Sequence, residues 1–418
     1  MNINLASSAL SPETWPFSPE LLPPEACLVG GAVRNALLGR QAEYLDLDFI
    51  VPTEAVKIGR RLAKKYKAGF VVLDAERQIA RVVFKQATVD LALQEGNSLE
   101  NDLNRRDFTI NAIAYNPYKK QFIDPLQGVA DLQARLMRMV SVENLQDDPL
   151  RLLRAYRQAA QLNFTIEANT KSVMPLLAPL LARVAVERIR TELSYLLKSP
   201  QGTPWLQAAW EDKLLQVCFP DAKAVDLSKF ITIDHCAIAI TQTWPRLGVE
   251  LQAPVTNQLT SLLSLGKLAS LLPSFPEAAE SQLLNLKYAR AEIKAIVTAL
   301  KNLPQLLSHG TSEMSLREQY FFFQDVGSFF PLLAVMAIAE GISMDAMAPM
   351  INRYLSSDDQ VAHPQPLVTG KDLMQALNLP ASRQVGEILT EIQIGRIEGK
   401  FDSREAALEF AKQVISNK

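Results

Sequence analysis

Apolar and polar positions along the 418 residues fall into two regimes. From residue 25 to about 140, short apolar runs are separated by polar turns. Runs 28–29, 45–51, 70–73, 79–84 and 88–93 read as strands because their apolar residues are β-branched or aromatic and bounded by turn formers. Between them, 32–38 reads as a short helix. A second helix spans 52–67, with Val56, Ile58, Leu62 and Ala63 on one face and Lys57, Arg60, Arg61, Lys64 and Lys65 on the other. The pattern predicts an α+β layer: a mixed sheet of about five strands with helices on one side. FIDPLQG at 122–128 adds a strand ending in a turn. From Asp147 onward the spacing becomes three and four, as in Leu150 and Leu153, then Val186, Ile189, Leu193 and Leu196, so the remainder reads as helix. Residues 1–24, rich in Pro and Ser, read as an extended arm anchored by Trp15 and Phe17. SSDDQVAHPQP at 356–366 reads as a linker.

Composition narrows this picture. A net charge of −2 and a pI near 6.1 exclude a polycation, so any nucleic-acid surface is local. Cys27, Cys218 and Cys236 lie far apart in apolar sequence, as reduced core residues of a cytoplasmic protein do. His235, His309 and His363 lack metal-ligand spacing, and Asp234-His235 reads as structural. No apolar run reaches the ~20 residues that span a bilayer, so no membrane role is expected, and the first residues lack a signal-peptide pattern.

The candidate chemistry centres on LVGGAVRNALLGRQAEYLDLDFIV, 28–51. Gly30 and Gly31 let backbone N–H groups approach an anion at the N-terminus of a helix. Asp46 and Asp48 alternate onto one face of the next strand, where two carboxylates invite a shared divalent cation. Each feature alone is a turn or a solvated strand end; in strand-turn-helix-strand order they suit phosphoryl or nucleotidyl transfer. Neither a G-x-G-x-x-G nor a Gly-Lys-Ser/Thr pattern follows. Asp90 in TVDLAL is placed to join the pair as a third carboxylate, as ligand or base. Arg105 and Arg106 suit phosphate, while Asp107 and Asn111 suit ribose hydroxyls. Asp148, before Pro149, reads as a helix N-cap. With Arg151 three residues on, it also offers an acceptor and a donor for the Watson–Crick edge of a base. Arg154 and Arg157 continue a basic face toward phosphates, and Gly370-Lys371 opens a helix that could hold an RNA phosphate.

These residues resemble the class II tRNA nucleotidyltransferases, the CCA-adding and bacterial poly(A) polymerase family, from Leu28 to about Leu197 and again from Gly370 to Leu389. The 28–51 stretch, with Arg34, Asp46 and Asp48, is similar to the family's catalytic motif, RRDFTINA to its ribose motif, and DDPLRLLRAYR to the neck helix. VERIRTEL at 186–193 resembles the next helix. The resemblance implies a polymerase-β-like nucleotidyltransferase head (25–140), a base-recognising neck (141–200), a helical body (201–355) and a tRNA-binding tail (356–418). It implies two Mg²⁺ ions on Asp46 and Asp48, CTP and possibly ATP as substrates, and tRNA bound by its acceptor stem and T arm. It also implies that Asp147, Asp148 and Arg151 stand where Glu-Asp-x-x-Arg is usual, the last two selecting C or A. Asn35 replaces the usual Asp, removing a possible partner for Arg34. Only LALQEGNSLENDLN bridges Asp90 and Arg105, where enzymes that add all of CCA carry a longer mobile loop. That brevity resembles the CC-adding subgroup, whose separate A-adding partner enzyme completes the end. Complete CCA addition, A addition, poly(A) synthesis, a non-catalytic RNA-binding scaffold and a small-molecule nucleotidyltransferase are the alternatives. The neutral tail and the base-reading pair disfavour poly(A) synthesis and small-molecule transfer respectively.

Overall fold

A computed structural model describes residues 8–41, 43–256 and 260–416; the first seven residues of the arm and the His309 side chain lie outside the described residues. The chain forms two compact units, Met1–Val217 and Cys218–Lys418.

The first unit is built on a seven-stranded sheet. Its elements are β1 (Cys27–Val29), α1 (Gly31–Leu37), β2 (Leu45–Val51), α2 (Ala55–Tyr66), β3 (Gly69–Asp74), β4 (Ile79–Val83), β5 (Ala87–Leu93), α3 (Leu99–Leu103), β6 (Ala114–Asn116), β7 (Gln121–Ile123) and α4 (Gly128–Ala134). The helices α5 (Val142–Asp147), α6 (Leu150–Leu162), α7 (Ala168–Leu177), α8 (Val186–Lys198) and α9 (Gly202–Glu211) follow. Strand order is β3-β4-β5-β2-β1-β6-β7, with β2 and β5 parallel and the other pairs antiparallel. The sheet exceeds the expected five strands because β6 and β7 form a short hairpin on the free edge of β1. The β6 residues lie in a segment whose composition reads as helix; the turn is closed by Asn116 Oδ1, which accepts from the N–H groups of Tyr118 and Lys119 at 3.0 and 2.8 Å.

Both faces of this sheet are covered, not one. On the face of Phe49 and Leu91, α2 lies so close that a Cβ on Gly59 would stand 3.2 Å from Phe70 and 3.3 Å from Leu91. The arm is not extended: it folds into two 3-10 turns and inserts Trp15 and Phe17 on that face. The Trp15 ring meets Phe49 edge-on at 5.0 Å, and Phe17 stacks near Phe84 at 6.2 Å. On the opposite face Ile50, Cys27 and Val29 pack with Leu103, Ala112 and Ala114. That cover stops short of the Asp46 end of β2, which stays open.

The second unit is helical. Its apolar stretch Leu316–Ala339, 24 residues long, corrects the expectation that no run reaches membrane-spanning length; 61% of its apolar window is buried in the unit. It is broken by a turn at Gly327–Phe329, so Leu316–Val326 and Phe330–Ala339 are separate core helices. The 356–366 stretch is a folded turn and not a free linker. Asp359 accepts from the Val361 and Ala362 N–H groups and pairs with Arg353 at 2.9 Å, and Val361 is buried. Asp234 pairs with the buried Lys267 at 2.5 Å, a structural use. The three cysteines are free thiols, and Cys27 is buried.

Because Phe17 is an almost fully buried ring between Phe49 and Phe84, Phe17→Ala should destabilise the first unit by about 3–5 kcal/mol. Urea unfolding should show a lower midpoint for that unit's transition.

Candidate active site

Strand register assembles the acidic centre. Val29 on β1 pairs with Asp48 on β2, Asp48 with Asp90 on β5, and Asp90 with Arg81 on β4, giving one row across four strands on a single face. One step along, Asp46 pairs with Thr88, whose hydroxyl donates to Asp46 Oδ1 at 2.6 Å. Burial, followed by repulsion from Asp46 and Asp90, raises the Asp48 pKa to about 7. The centre therefore carries more negative charge than it can hold comfortably without a cation. Asp90 is brought beside Asp48 as expected, but it is not free: Arg81 Nε and Nη2 donate to its two oxygens, each at 2.7 Å. Among the described residues Asp46 and Asp48 have no such ion pair, and Asp46 accepts only the Thr88 hydroxyl. Among the described residues no group of three or more acidic, His or Cys side chains is arranged to hold a metal alone. Mg²⁺ commonly takes one or two carboxylates and completes its shell with water and phosphate oxygens, which this donor set fits.

The glycine turn abuts the row. Gly30, the N-cap of α1, has φ +70° and ψ −135°, a region essentially closed to other residues, and an added Cβ would lie 3.3 Å from Asp48 Oδ2 and 3.6 Å from Arg106 Nη1. Arg106 reaches Asp102 at 3.4 Å, while its Nε is a buried donor with no acceptor among the described residues. An anion at the Gly30 turn would meet both the backbone and this guanidinium. Gly31, Arg34, Asn35, Tyr44, Asp46 and Asp48 help line a cleft of about 240 Å³ beside it.

Behind the turn lies a buried polar network. Asp107 accepts from Arg154 Nε and Nη2 at 3.0 and 2.8 Å, Asn111 Nδ2 at 2.9 Å and the Phe108 N–H at 2.8 Å. Burial alone would raise its pKa, but Arg154 and these hydrogen bonds outweigh burial and hold it at about 2. Asn111 also donates to Gln158 Oε1 at 2.9 Å, and Arg34 Nη1 donates to Asn111 Oδ1 and Gln158 Oε1 at 2.6 and 3.0 Å. Chiefly through burial, the Arg34 pKa falls to about 10. Asn35 still serves Arg34 as an acceptor, at 3.3 Å from Nε and 3.2 Å from Nη2, so the amide preserves the partner that the sequence comparison removes.

Several expected ligands are thus already engaged. Asp107 and Asn111 are buried and bonded internally, and do not present themselves to a ribose. Arg154 is held by Asp107 and Glu192, and Arg157 by Glu192, with Gln161 at 2.8 Å and the Tyr195 ring beneath it. Buried carboxylates neutralise both, so they form no free phosphate-binding face. Arg105 pairs with Glu95. Asp148 does not cap α6: the N-cap is Pro149, and the Asp148 carboxylate instead pairs with Arg188 of α8 at 2.9 Å. Arg151 Nη1 donates to the Arg105 carbonyl at 2.8 Å, and burial lowers its pKa. Asp147 is exposed. In the second unit Gly370 begins a helix capped by Thr369, but Asp372 and its partner Arg404, at 2.6 Å, occupy that terminus, so a carboxylate stands where Lys371 was expected to help bind phosphate.

Three family models match the chain: the poly A polymerase head domain over 26–138, the probable RNA and SrmB-binding site of polymerase A over 163–225, and the putative tRNA nucleotidyltransferase domain 2 over 266–411. A CC-adding tRNA nucleotidyltransferase from Synechocystis is 47% identical over 96% of both chains. The chain belongs to the class II tRNA nucleotidyltransferases. A CC-adding tRNA nucleotidyltransferase from Geobacter sulfurreducens is 33% identical over 94% of this chain and 92% of its own. A structure of the Thermotoga maritima CCA-adding enzyme complexed with tRNA shares the fold with a TM-score of 0.69, covering 93% of this chain and 91% of that one at 21% identity.

Sequence reasoning missed Gln158, Arg188, Glu192 and Arg81. For two of these a signal exists: Gln158 lies one turn after Arg154 on the buried face of α6, and Glu192 interrupts the apolar stripe of α8. A polar residue on a buried stripe needs a buried partner. Arg188 and Arg81 are recognisable only from tertiary geometry.

Gly30→Ala should leave the circular dichroism spectrum intact while lowering kcat by about 100-fold, because it displaces Asp48 and the turn together. Arg154→Met should cost about 3–5 kcal/mol by stranding a buried carboxylate. Since Asp107 titrates at about 2 in the native state and near 3.9 when unfolded, its stabilisation is present above pH ~4 and lost as pH falls through ~2. Wild type should lose about 2–3 kcal/mol over that window through this group, and Arg154→Met much less.

Proposed function

We propose that this enzyme adds the two C residues of the CCA end to tRNA from CTP and stops before A. The observation that carries this reading is the connection between β5 and α3. It is five residues, 94–98, and it is tied down: the Glu95 N–H donates to Asp102 at 3.1 Å, Glu95 pairs with Arg105, and Ser98 caps α3 through the Asn101 N–H at 3.2 Å. A segment so short and fixed offers no mobile element to reshape the base pocket. The 47% identical relative carries the CC-adding name.

Asp46 and Asp48 would hold two Mg²⁺ ions, which supply activation of the tRNA 3′-hydroxyl and neutralisation of the triphosphate. The Gly30 turn and Arg106 receive the phosphates, and Asp148 and Arg151 read the base edge, the carboxylate accepting from the cytosine amino group and the guanidinium donating to ring acceptors. To do so they exchange their present partners, Arg188 and the Arg105 carbonyl, for the base. The acceptor stem and T arm lie along the helical second unit, a separate A-adding enzyme finishes the same tRNA, and the site of action is the cytoplasm.

Incubating a tRNA that lacks CCA with CTP and ATP should give a product ending in CC; efficient incorporation of the terminal A would refute the reading. Asp46→Ala should abolish transfer while sparing tRNA binding, which separates an enzyme from an RNA-binding scaffold. Asp148→Ala should reduce discrimination for CTP by roughly tenfold or more.

A further inference from the structure

Arg81 is a charged residue beside the acids to which the reaction described above gives no part. It flanks the acids on the side away from the phosphate turn: the row runs Val29, Asp48, Asp90, Arg81, with Gly30 following Val29. At ~4.8 Å per strand, β1 and β4 stand about 14 Å apart. In-line transfer places the leaving pyrophosphate and the attacking hydroxyl on opposite sides of the reacting phosphorus. With the triphosphate on the Gly30 and Arg106 flank, the RNA 3′ end arrives on the Asp90 and Arg81 flank. Arg81 is partly exposed there, and the neighbouring Val71, Leu73 and Val83 are exposed apolar residues without a competing side-chain acceptor. Among the described residues its side chain has one anionic partner, Asp90, held by the same two-pronged geometry that suits a phosphodiester.

We propose that Arg81 is a positioning residue that exchanges Asp90 for a backbone phosphate of the incoming RNA 3′ end. The exchange anchors the RNA and frees Asp90 at the moment the 3′-hydroxyl arrives beside it. The inference rests on the tRNA-extending reading. Asp90 and the RNA phosphate compete for Arg81: without RNA, Asp90 holds it, and without Asp90, Arg81 is open to RNA.

The test is binding of the full chain to a tRNA lacking CCA, in EDTA across a salt series. Asp90→Asn should tighten binding roughly three- to tenfold even as transfer is lost, and by more than Asp46→Asn, which removes an equal charge without releasing Arg81. Arg81→Met should weaken binding and lower the slope of log affinity against log salt by about 0.7–0.9 relative to Asp90→Asn. In the Arg81→Met background the gain from Asp90→Asn should vanish. Arg81→Lys, which retains a charge in place should the methionine variant fold poorly, should fall between. Equal tightening by Asp90→Asn and Asp46→Asn, or a gain that survives without Arg81, overturns the inference while leaving the tRNA reading intact. Failure of wild type to bind tRNA removes both.

Discussion

The structure of the active site depends on one buried carboxylate. Asp107 lies in the interior between the RRDFTINA segment and α6, and it stays ionised because Arg154, Asn111 and a backbone N–H satisfy its oxygens. An uncompensated charge there would cost several kcal/mol, so the bond ties α6 to the segment that carries Asp107. Through Asn111 and Gln158 the same network reaches Arg34 on α1, whose first turn begins at Gly30. The Gly30 turn and α6 are thus referred to one set of hydrogen bonds. The proposed function calls for this kind of rigidity, because the base choice it assigns to Asp148 and Arg151 has to be registered against the chemistry it assigns to Asp46 and Asp48.

The sheet divides the work by strand register. Antiparallel pairing of β1 with β2 puts the glycine turn beside Asp48, and parallel pairing of β2 with β5 puts Asp90 on its other side. Burial, joined by repulsion from Asp46 and Asp90, raises the Asp48 pKa to about 7, and the guanidiniums of Arg106 and Arg81 offset part of that rise. Basic groups thus stand at both ends of the acidic row, Arg106 beside the Gly30 turn and Arg81 beside Asp90.

The geometry of the 28–51 stretch was legible in the sequence because its signals are local. The glycine pair, the period-two alternation of Asp46 and Asp48, and the strand assignments around Asp90 each need only neighbours in the chain. The residues whose roles changed are those whose partners are distant. Arg154 and Arg157 form a basic face in sequence, but the acids that neutralise them come from 107 and 192. Asp148 carries the composition of an N-cap, yet an arginine 40 positions away takes its carboxylate. β6 was hidden in a helix-like segment because three residues pair only when an edge is supplied by β1. The 356–366 turn looked like a linker because its order comes from Arg353 and Tyr354 of the preceding helix.

The central claim is that one rigid frame registers the base against the acids. The direct test is a crystal structure of the enzyme with CTP and a divalent cation. The expected result is the triphosphate at the Gly30 turn and Arg106, the cation at Asp46 and Asp48, and the cytosine edge on Asp148 and Arg151, with the Asp107–Arg154 bond unchanged. A cytosine bound away from Asp148 and Arg151, or an Asp107–Arg154 bond broken on binding, would contradict it.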